Sequence, residues 1–518
     1  MQAAGATTEV SASGQGRSLA TLLVLVLGVV VCRFAVLNSD WGYDTGAWMY
    51  LSQRMLAGAR LYVDVTDNKL PPLYWIGAAY WKTGFPRAAM FVTEVALTTG
   101  SALALASILR RAGLGARVAL LFGALFVCAS QPAWEYAHRL ESYALAPLAI
   151  GLALLARASL DPEPPRLREH ALAGVLISLA VSFRAQHVLD AVLVGAWMLT
   201  VGGRSRWRRF ASYVAGGLAW AAALLAIAAA QGFLSEMLRD GVLGSAGYAA
   251  GFEAKPPKLG AVIWALRVNI DLMPMTWFAM GTGVALAVAA WPRVTTKARS
   301  LFALAALLAC AQFASTFIAR HQIIHYHFPL GWTASLLAGL GVAIAGLRFG
   351  ADPERARWLV PAAASVLLAA TAFPDPRVYD GVYKLVFPRS EERTDRLERL
   401  VRDHIPADGK LYFLDDYSMA GVLTRVPNPP ATPRTILAMQ AVFRDPEKPP
   451  EAFSPYGLTT LAWGRAFRAE MQRDPPPWLV RKQAIEDDLT PWVRTHYDEI
   501  ASSGGFTVWK HREEPLPR

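Results

Sequence analysis

Blocks of about twenty apolar residues, separated by short arginine-bearing pieces, recur through the first 374 residues of the chain. An α-helix rises about 1.5 Å per residue, so a block of that length matches the ~30 Å hydrocarbon core of a bilayer. In lipid every backbone N–H and C=O must find its partner within the protein, which confines such a chain to a bundle of membrane helices. Charged side chains make up 18% of the 518 residues and hydrophobic ones 54%, where a soluble domain carries about 25% charged. A soluble enzyme, a disordered chain and a disulfide scaffold are excluded. The three cysteines, Cys32, Cys128 and Cys310, lie in apolar blocks and are expected as small buried hydrophobes, with no metal-cage spacing.

Eleven spans are expected, at residues 19–37, 88–109, 118–133, 140–158, 170–185, 187–202, 210–230, 271–291, 300–318, 328–347 and 358–374. The first is longer than the apolar core of a secretory signal and reads as a retained helix, with Arg33 near its end reaching toward lipid headgroups. Alternate connections hold Arg110, Arg111 and Arg117; Arg166 and Arg168; Arg204, Arg206, Arg208 and Arg209; Arg293, Lys297 and Arg299; Arg348, Arg355 and Arg357. The positive-inside rule places these loops and the segment 1–18 in the cytoplasm. The first loop 38–87, the segment 231–270, the turns near 134–139, 184–186 and 319–327, and the tail 375–518 then lie outside. The tail holds 21 basic and 22 acidic residues, so the first 374 residues carry +12 of a net +11. The basicity is topogenic, and no basic soluble module is left to bind nucleic acid.

The tail reads as a small α/β domain. Residues 391–404 have helical periodicity, with Leu397, Leu400 and Val401 on the apolar side. A turn at 407–409 leads to a strand from Lys410, a second helix is expected near 464–472, and a strand follows the prolines at 475–477. The segment from Gly505 reads as a short edge or terminal strand.

Polar residues at membrane depth are expensive and mark function. The first loop is long, aromatic and acidic, with Tyr43, Trp48, Tyr50, Leu51 and Met55 suggesting an amphipathic surface helix and Trp75, Tyr80 and Trp81 a second element after Pro71 and Pro72. Asp40, Asp44, Asp64, Asp67 and Lys69 surround that region. Glu141 opens the fourth span; Arg184, Gln186, His187 and Asp190 sit where the fifth meets the sixth; Arg320, His321, His325, Tyr326 and His327 crowd before the tenth. All fall on one side of the expected topology, which argues for a single polar cavity. His321 and His325 share a face of any helix there, but Gln322 stands where a metalloprotease has its Glu.

Residues 43–75 resemble the first exterior loop of the bacterial glycosyltransferases that include protein mannosyltransferases and the lipid A aminoarabinose transferase. Asp44 looks like their acid after the first span, Leu56, Gly58, Tyr62 and Asp64 like the following segment, and Asp67, Lys69, Pro71 and Pro72 like the Lys-Pro-Pro motif, here with Leu70 inserted. Thr45 stands where the commoner pattern has a second acid. Glu141 resembles the acid that begins a later span, and residues 325–332 the late His-Tyr motif.

The resemblance implies a GT-C-like polytopic α-helical fold of about eleven transmembrane helices with a small exterior α/β domain, in a bacterial inner membrane with the tail in the periplasm. It implies an inverting transfer of sugar from a polyprenyl-phosphate donor to an acceptor hydroxyl on a glycan, lipid or protein. Asp44 would serve as base, and Glu141, the other catalytic acid, would orient the acceptor or help hold a divalent ion. Lys69, Arg184, Arg320, His325 and Tyr326 would meet the leaving phosphate. Asp40, Tyr43, Tyr62, Asp64, Asp67 and Gln186 would line the substrate cavity. A divalent cation, if one is held, would use Asp44 and Glu141. The competing readings are a transporter or flippase of lipid-linked glycan, a glycan ligase or polymerase, and a non-enzymatic assembly protein.

Overall fold

The structure, a computed structural model, describes residues 9–38, 41, 43–65, 67, 69–136, 140–160, 166–201, 203–243, 263, 266–267, 270–271, 273–291, 295–318, 327–349, 392–413, 420–428, 473–483 and 490–512. Helix α1 (Glu9–Arg33) is followed by a single turn, α2 (Ala35–Asn38). The first loop forms α3 (Tyr43–Leu56) and α4 (Pro72–Lys82). Then come α5 (Pro86–Arg111), α6 (Ala116–Tyr136), α7 (Leu140–Leu160), α8 (Leu167–Phe183), α9 (His187–Val201) and α10 (Arg206–Ala230). A short helix Leu234–Glu236 runs into a π-helical segment, Met237–Leu243. The bundle closes with α11 (Pro274–Ala290), α12 (Thr296–Ile318) and α13 (Phe328–Phe349).

Ten of the eleven expected spans coincide with described helices; the eleventh, 358–374, lies outside the described residues. Among the described residues, five helices are long and apolar enough to cross a membrane by length and composition: those at Pro86–Arg111, Leu140–Leu160, Gly203–Ala230, Thr296–Ser315 and Phe328–Gly346. The apolar helices Leu19–Arg33, Ala116–Ser130, His187–Val201 and Pro274–Ala290 are shorter. Large apolar side chains stand exposed on several helices, among them Leu23 and Val24 of α1, Val92 of α5, Leu218 of α10 and Val288 of α11. An exposed apolar belt of this kind faces lipid, not water.

Helix association inside lipid has little hydrophobic drive and depends on close backbone approach at small residues. Two seams are built this way. A Cβ on Gly174 would collide with the Tyr213 carbonyl, and one on Gly216 with the Ala171 carbonyl, so α8 and α10 lie backbone to backbone. A Cβ on Gly283 or Gly341 would likewise strike the facing backbone, which joins α11 to α13. Helix α13 sits at the centre, against α5, α6, α11 and α12. Its Trp332 donates its indole N–H to the Ser101 carbonyl of α5 at 2.9 Å.

Two expectations are corrected here. Arg33 does not reach for headgroups: it is fully buried, and its Nε donates to Thr98 Oγ1 of α5 at 3.1 Å, one turn from the buried Glu94. A partner within the bundle outcompetes the snorkelled position, because α1 packs directly on α5. Cys310 is exposed instead of buried and lines an apolar groove of about 820 Å³ between α11, α12 and α13, together with Trp277, Phe313 and Leu337.

In the tail, α14 (Glu392–His404) buries Leu397, Leu400 and Val401, its expected apolar side. Strands β1 (Leu411–Phe413), β2 (Trp478–Lys482), β3 (Tyr497–Ser503) and β4 (Phe506–His511) form one sheet in the order β1-β2-β4-β3. β1 and β2 are parallel, and the other pairs antiparallel. The expected edge strand from Gly505 is therefore internal, because β3, unanticipated, pairs with its far side through a tight turn with Gly504 and Gly505 at φ 62° and 84°. The helix expected near 464–472 lies outside the described residues, while two unanticipated ones, α15 (Ala420–Leu423) and α16 (Thr490–His496), appear. Helix α15 packs on α3, so tail and first loop share one end of the bundle.

The welded seam makes a prediction. Gly216→Ala forces α8 and α10 apart and should lose about 1–3 kcal/mol, seen as a lower melting temperature in detergent. Gly28→Ala, where nothing lies within 4 Å, should leave melting unchanged. Equal melting of both variants would show the seam to be loose.

Candidate functional site

Two polar clusters occupy the end of the bundle that carries the first loop. The first is built on α7 and α8. Glu141 lies in the first turn of α7 and is 1% exposed. Arg184 ends α8 in an extended conformation, at φ −143° and ψ 108°, which turns its side chain off the helix. Its Nη2 donates to Glu141 Oε1, an ion pair between groups 43 residues apart. The chain then turns into α9, where His187 donates its backbone N–H to the Arg184 carbonyl at 3.1 Å. The His187 ring and Asp190 are buried, with Nδ1 2.6 Å from Oδ2. A carboxylate this deep is tolerable only with a cation and hydrogen bonds around it.

An aromatic cluster fastens the first loop above that pair. The Trp48 ring of α3 lies 6.4 Å from that of Tyr80 and 6.2 Å from that of Tyr143, and Tyr143 lies 6.0 Å from Phe183, the residue before Arg184. The Tyr80 and Tyr143 hydroxyls are 2.8 Å apart. Gly77 lets α4 cross α3 closely, since a Cβ there would overlap Ser52 and come within 2.8 Å of Trp48. The expected surface helix is thus real, but Trp48, Tyr50 and Leu51 face protein and not lipid.

The second cluster lies within the first loop. Lys69 Nζ donates to Asp67 Oδ2 at 3.1 Å, and the Tyr74 hydroxyl donates to the same oxygen at 3.0 Å. Asp67 is fully buried and Lys69 nearly so. The Tyr62 hydroxyl donates to the Lys69 carbonyl, which fixes the backbone that carries the cation. Tyr62 has φ 64°, a left-handed conformation that costs about 1–3 kcal/mol for a residue with a Cβ. Its ring is held against Tyr74 at 6.5 Å and Phe233 at 5.7 Å. Burial, then the negative charges of Asp67 and Asp240, raise the Tyr62 phenol well above its ordinary range; burial and Asp67 do the same for Tyr74. Both stay protonated donors. Asp240 lies in the π-helical segment and is clamped by Arg239 at 2.7 and 2.8 Å. Tyr74 and Tyr80 both lie on α4, six residues or about 9 Å apart, so this one helix joins the two clusters.

The expected residues fall as follows. Glu141 meets Arg184, and Tyr62, Asp67 and Lys69 meet one another. Gln186 is half-buried at the α8–α9 turn. Asp64 sits at an exposed turn, where the backbone N–H and Nε of Arg60 donate to it at 2.8 and 3.3 Å and hold its carboxyl below the usual range. Tyr43 and Asp44 open α3, Asp44 one turn before Trp48. Asp40, Arg320, His325 and Tyr326 lie outside the described residues. His327, which follows them, is buried with its ring 6.4 Å from Phe313. Among the described residues no three His, Cys, Asp or Glu side chains gather as a metal site. Tyr74 was expected only as one of the loop aromatics of 74–81, and Phe233 and Asp240 were not anticipated as members of the site. The aromatic run after Pro72 hinted at the first, and a buried acid in a polar segment was the available sign of the last.

The buried ion pair is testable by a double-mutant cycle. Arg184→Ala withdraws the cation facing a buried carboxylate and should cost about 3–5 kcal/mol in thermal or denaturant unfolding, and Glu141→Gln on that background should recover part of it. Additive losses would show that the two side chains are not coupled.

No family profile matches the sequence, and no curated protein matches it. Solved structures do match. ArnT from Cupriavidus metallidurans bound to undecaprenyl phosphate has a TM-score of 0.58 at 15% identity, covering 94% of this chain and 97% of that one. The apo state of the same protein gives 0.56. The archaeal oligosaccharyltransferase AglB from Archaeoglobus fulgidus, in complex with an inhibitory peptide and a dolichol-phosphate, gives 0.51 at 11% identity, covering 98% of this chain and 76% of that one. Identity this low is a likeness of fold, and it runs through both the bundle and the tail. The chain has the GT-C fold that ArnT and AglB share.

Proposed function

We propose that the protein is an inverting glycosyltransferase that takes a sugar from a polyprenyl-phosphate donor at the outer face of a bacterial inner membrane. The observation that carries this reading is two held cations, Lys69 and Arg184, at the loop-bearing end of the bundle, in clusters joined by α4. ArnT was solved with undecaprenyl phosphate and AglB with a dolichol-phosphate, which supports a donor of the same chemistry.

The acceptor hydroxyl oxygen attacks the anomeric carbon from the face opposite the lipid phosphate. As that bond forms, the hydroxyl proton passes to the Asp44 carboxylate. The anomeric C–O bond breaks, and its electron pair leaves with the phosphate oxygen. The growing negative charge meets Lys69 and Arg184, whose positions are set beforehand by Asp67 and Glu141, so little reorganisation is needed during the step. The Arg184 fork can hold Glu141 with one nitrogen and offer others to phosphate. Arg320, His325 and Tyr326 complete the phosphate site in this reading, and Asp40, Tyr43, Gln186 and the loop aromatics border the sugar. The apolar groove between α11, α12 and α13 supplies a track for a prenyl tail. The polar clusters gather at one end of the bundle and not at its middle, which disfavours an alternating-access transporter.

Asp44→Asn should insert and fold normally but lower transfer from a radiolabelled polyprenyl-phosphate sugar by about a hundredfold or more. Lys69→Met should weaken donor use while leaving acceptor saturation unchanged. Transfer by the Asp44 variant within a few-fold of the parent would remove that residue as base. Intact lipid-linked sugar crossing vesicles without glycosyl transfer would replace the enzyme reading by a flippase.

A further inference from the structure

The end of the bundle away from the first loop gathers positive charge that the protein leaves unanswered. Glu141 and Ser159 stand at opposite ends of α7, about 27 Å apart, so this end is remote from the candidate site. Three helix ends meet there. The Ser212 hydroxyl of α10 donates to the Leu167 carbonyl of α8 at 2.7 Å, and Arg209 Nη1 of α10 donates to the Ser159 carbonyl of α7 at 3.0 Å. Glu169 pairs with Arg157 and, at 3.6 Å, with Arg166. It is the sole carboxylate among the described residues of these three ends. Arg168, Arg204, Arg206 and Arg208 are exposed, and none of them has an ion-pair partner among the described residues.

Topology alone would explain exposed loop arginines, and the turn between α5 and α6 bears them too, at Arg110 and Arg117. Two observations set the start of α10 apart. Arg209 is only 4% exposed, its Nε has no acceptor, and a neutral carbonyl is its hydrogen-bond partner. A cation buried at the edge of an apolar bundle calls for a counter-charge, and among the described residues none pairs with it. An aromatic ring is also set among the charges: Trp207, 61% exposed, lies between Arg206 and Arg208. Ala211, Ala215 and Leu218 continue its exposed face along α10 at spacings of four and three. The two alanines leave a shallow apolar track that leads from the arginines into the lipid-facing side of the helix.

We infer that the arginine-bearing start of α10 binds an anionic phospholipid of the bilayer. Its phosphate lies among Arg204, Arg206 and Arg208, with Arg168 of α8 alongside. Trp207 stands at the level of its glycerol, and an acyl chain runs along Ala211, Ala215 and Leu218. The bound headgroup brings negative charge to the end of the bundle where Arg209 lacks it. Each arginine in the headgroup layer adds about fivefold to such binding. No step of this inference uses sugar transfer, so it stands apart from the transferase reading.

The full chain in detergent is titrated with phosphatidylglycerol and, separately, with phosphatidylcholine, and bound lipid is counted by native mass spectrometry. Phosphatidylglycerol is expected to bind about tenfold or more tightly. Arg204→Gln with Arg208→Gln should weaken that binding by about tenfold or more, whereas Arg110→Gln with Arg117→Gln, which removes the same charge at the other turn, should leave it unchanged. Arg204→Lys with Arg208→Lys should retain most of it. Equal losses from the two glutamine pairs overturn the site in favour of diffuse attraction to loop charge, and so does equal binding of the two lipids. Full competition by glycerol 3-phosphate at matched concentration overturns the lipid as occupant. Trp207→Phe alters no charge that directs insertion, so it tests the site even where the glutamine pair inserts poorly. Brominated phosphatidylglycerol should quench the wild type more than Trp207→Phe, at a level where brominated phosphatidylcholine quenches both alike; equal quenching by the two lipids overturns the proposal.

Discussion

Charge inside an apolar bundle must be answered from within the protein, and this chain answers it both across long stretches of sequence and within its first loop. Glu141 is met by Arg184, Asp67 by Lys69 and Tyr74, and Arg33 by Thr98. The Glu141–Arg184 link adds to the Arg157–Glu169 ion pair and the Ser159–His170 contact that also join α7 to α8. A buried carboxylate without its cation costs several kcal/mol, so the pairs constrain where α7 can sit against α8, and how the first loop folds back on itself. The polar groups that make the site are therefore also part of what orders it.

The helices were legible because their signal is local. A run of twenty apolar residues declares itself without knowledge of its neighbours, and the arginine-rich loops alternate with the runs. The joining of Glu141 to Arg184 was legible only as a shared end of the bundle, since no local pattern says which cation faces which acid. Arg33 was misread for the same reason: its fate depends on α5 lying alongside, a tertiary fact. Asp64 shows the reverse. Its partner Arg60 is four residues away, and a short polar turn claims it before any cavity can. In the tail, β3 escaped notice because its sequence, Tyr497 to Ser503, is mostly polar and outward-facing; pairing with β4, and not its own apolar content, makes it a strand.

The strained backbone of Tyr62 illustrates how the loop is specified. A left-handed residue with a large ring persists only where its surroundings over-determine it. Here the hydroxyl is tied to the Lys69 carbonyl, and the ring lies between Tyr74 and Phe233. Gly241 is set against it with room for a Cβ only at 3.3 Å from the hydroxyl. The segment after α10 thereby supports the conformation that presents Lys69, though the two are far apart in the chain.

The glycine seams have a mechanical consequence. Where α8 meets α10 and α11 meets α13, carbonyls occupy the space a Cβ would need, so each pair is in backbone contact with little room to slide. The α8–α9 corner that bears Arg184 continues α8 of the first pair. Between α11 and α12 the filling is side chains around an apolar groove, with Trp277 against Phe313, and rotamer changes there can widen a slit without breaking backbone contact. In the donor reading proposed above, a long hydrocarbon tail would enter from the side of the bundle at this gap, away from the charged end.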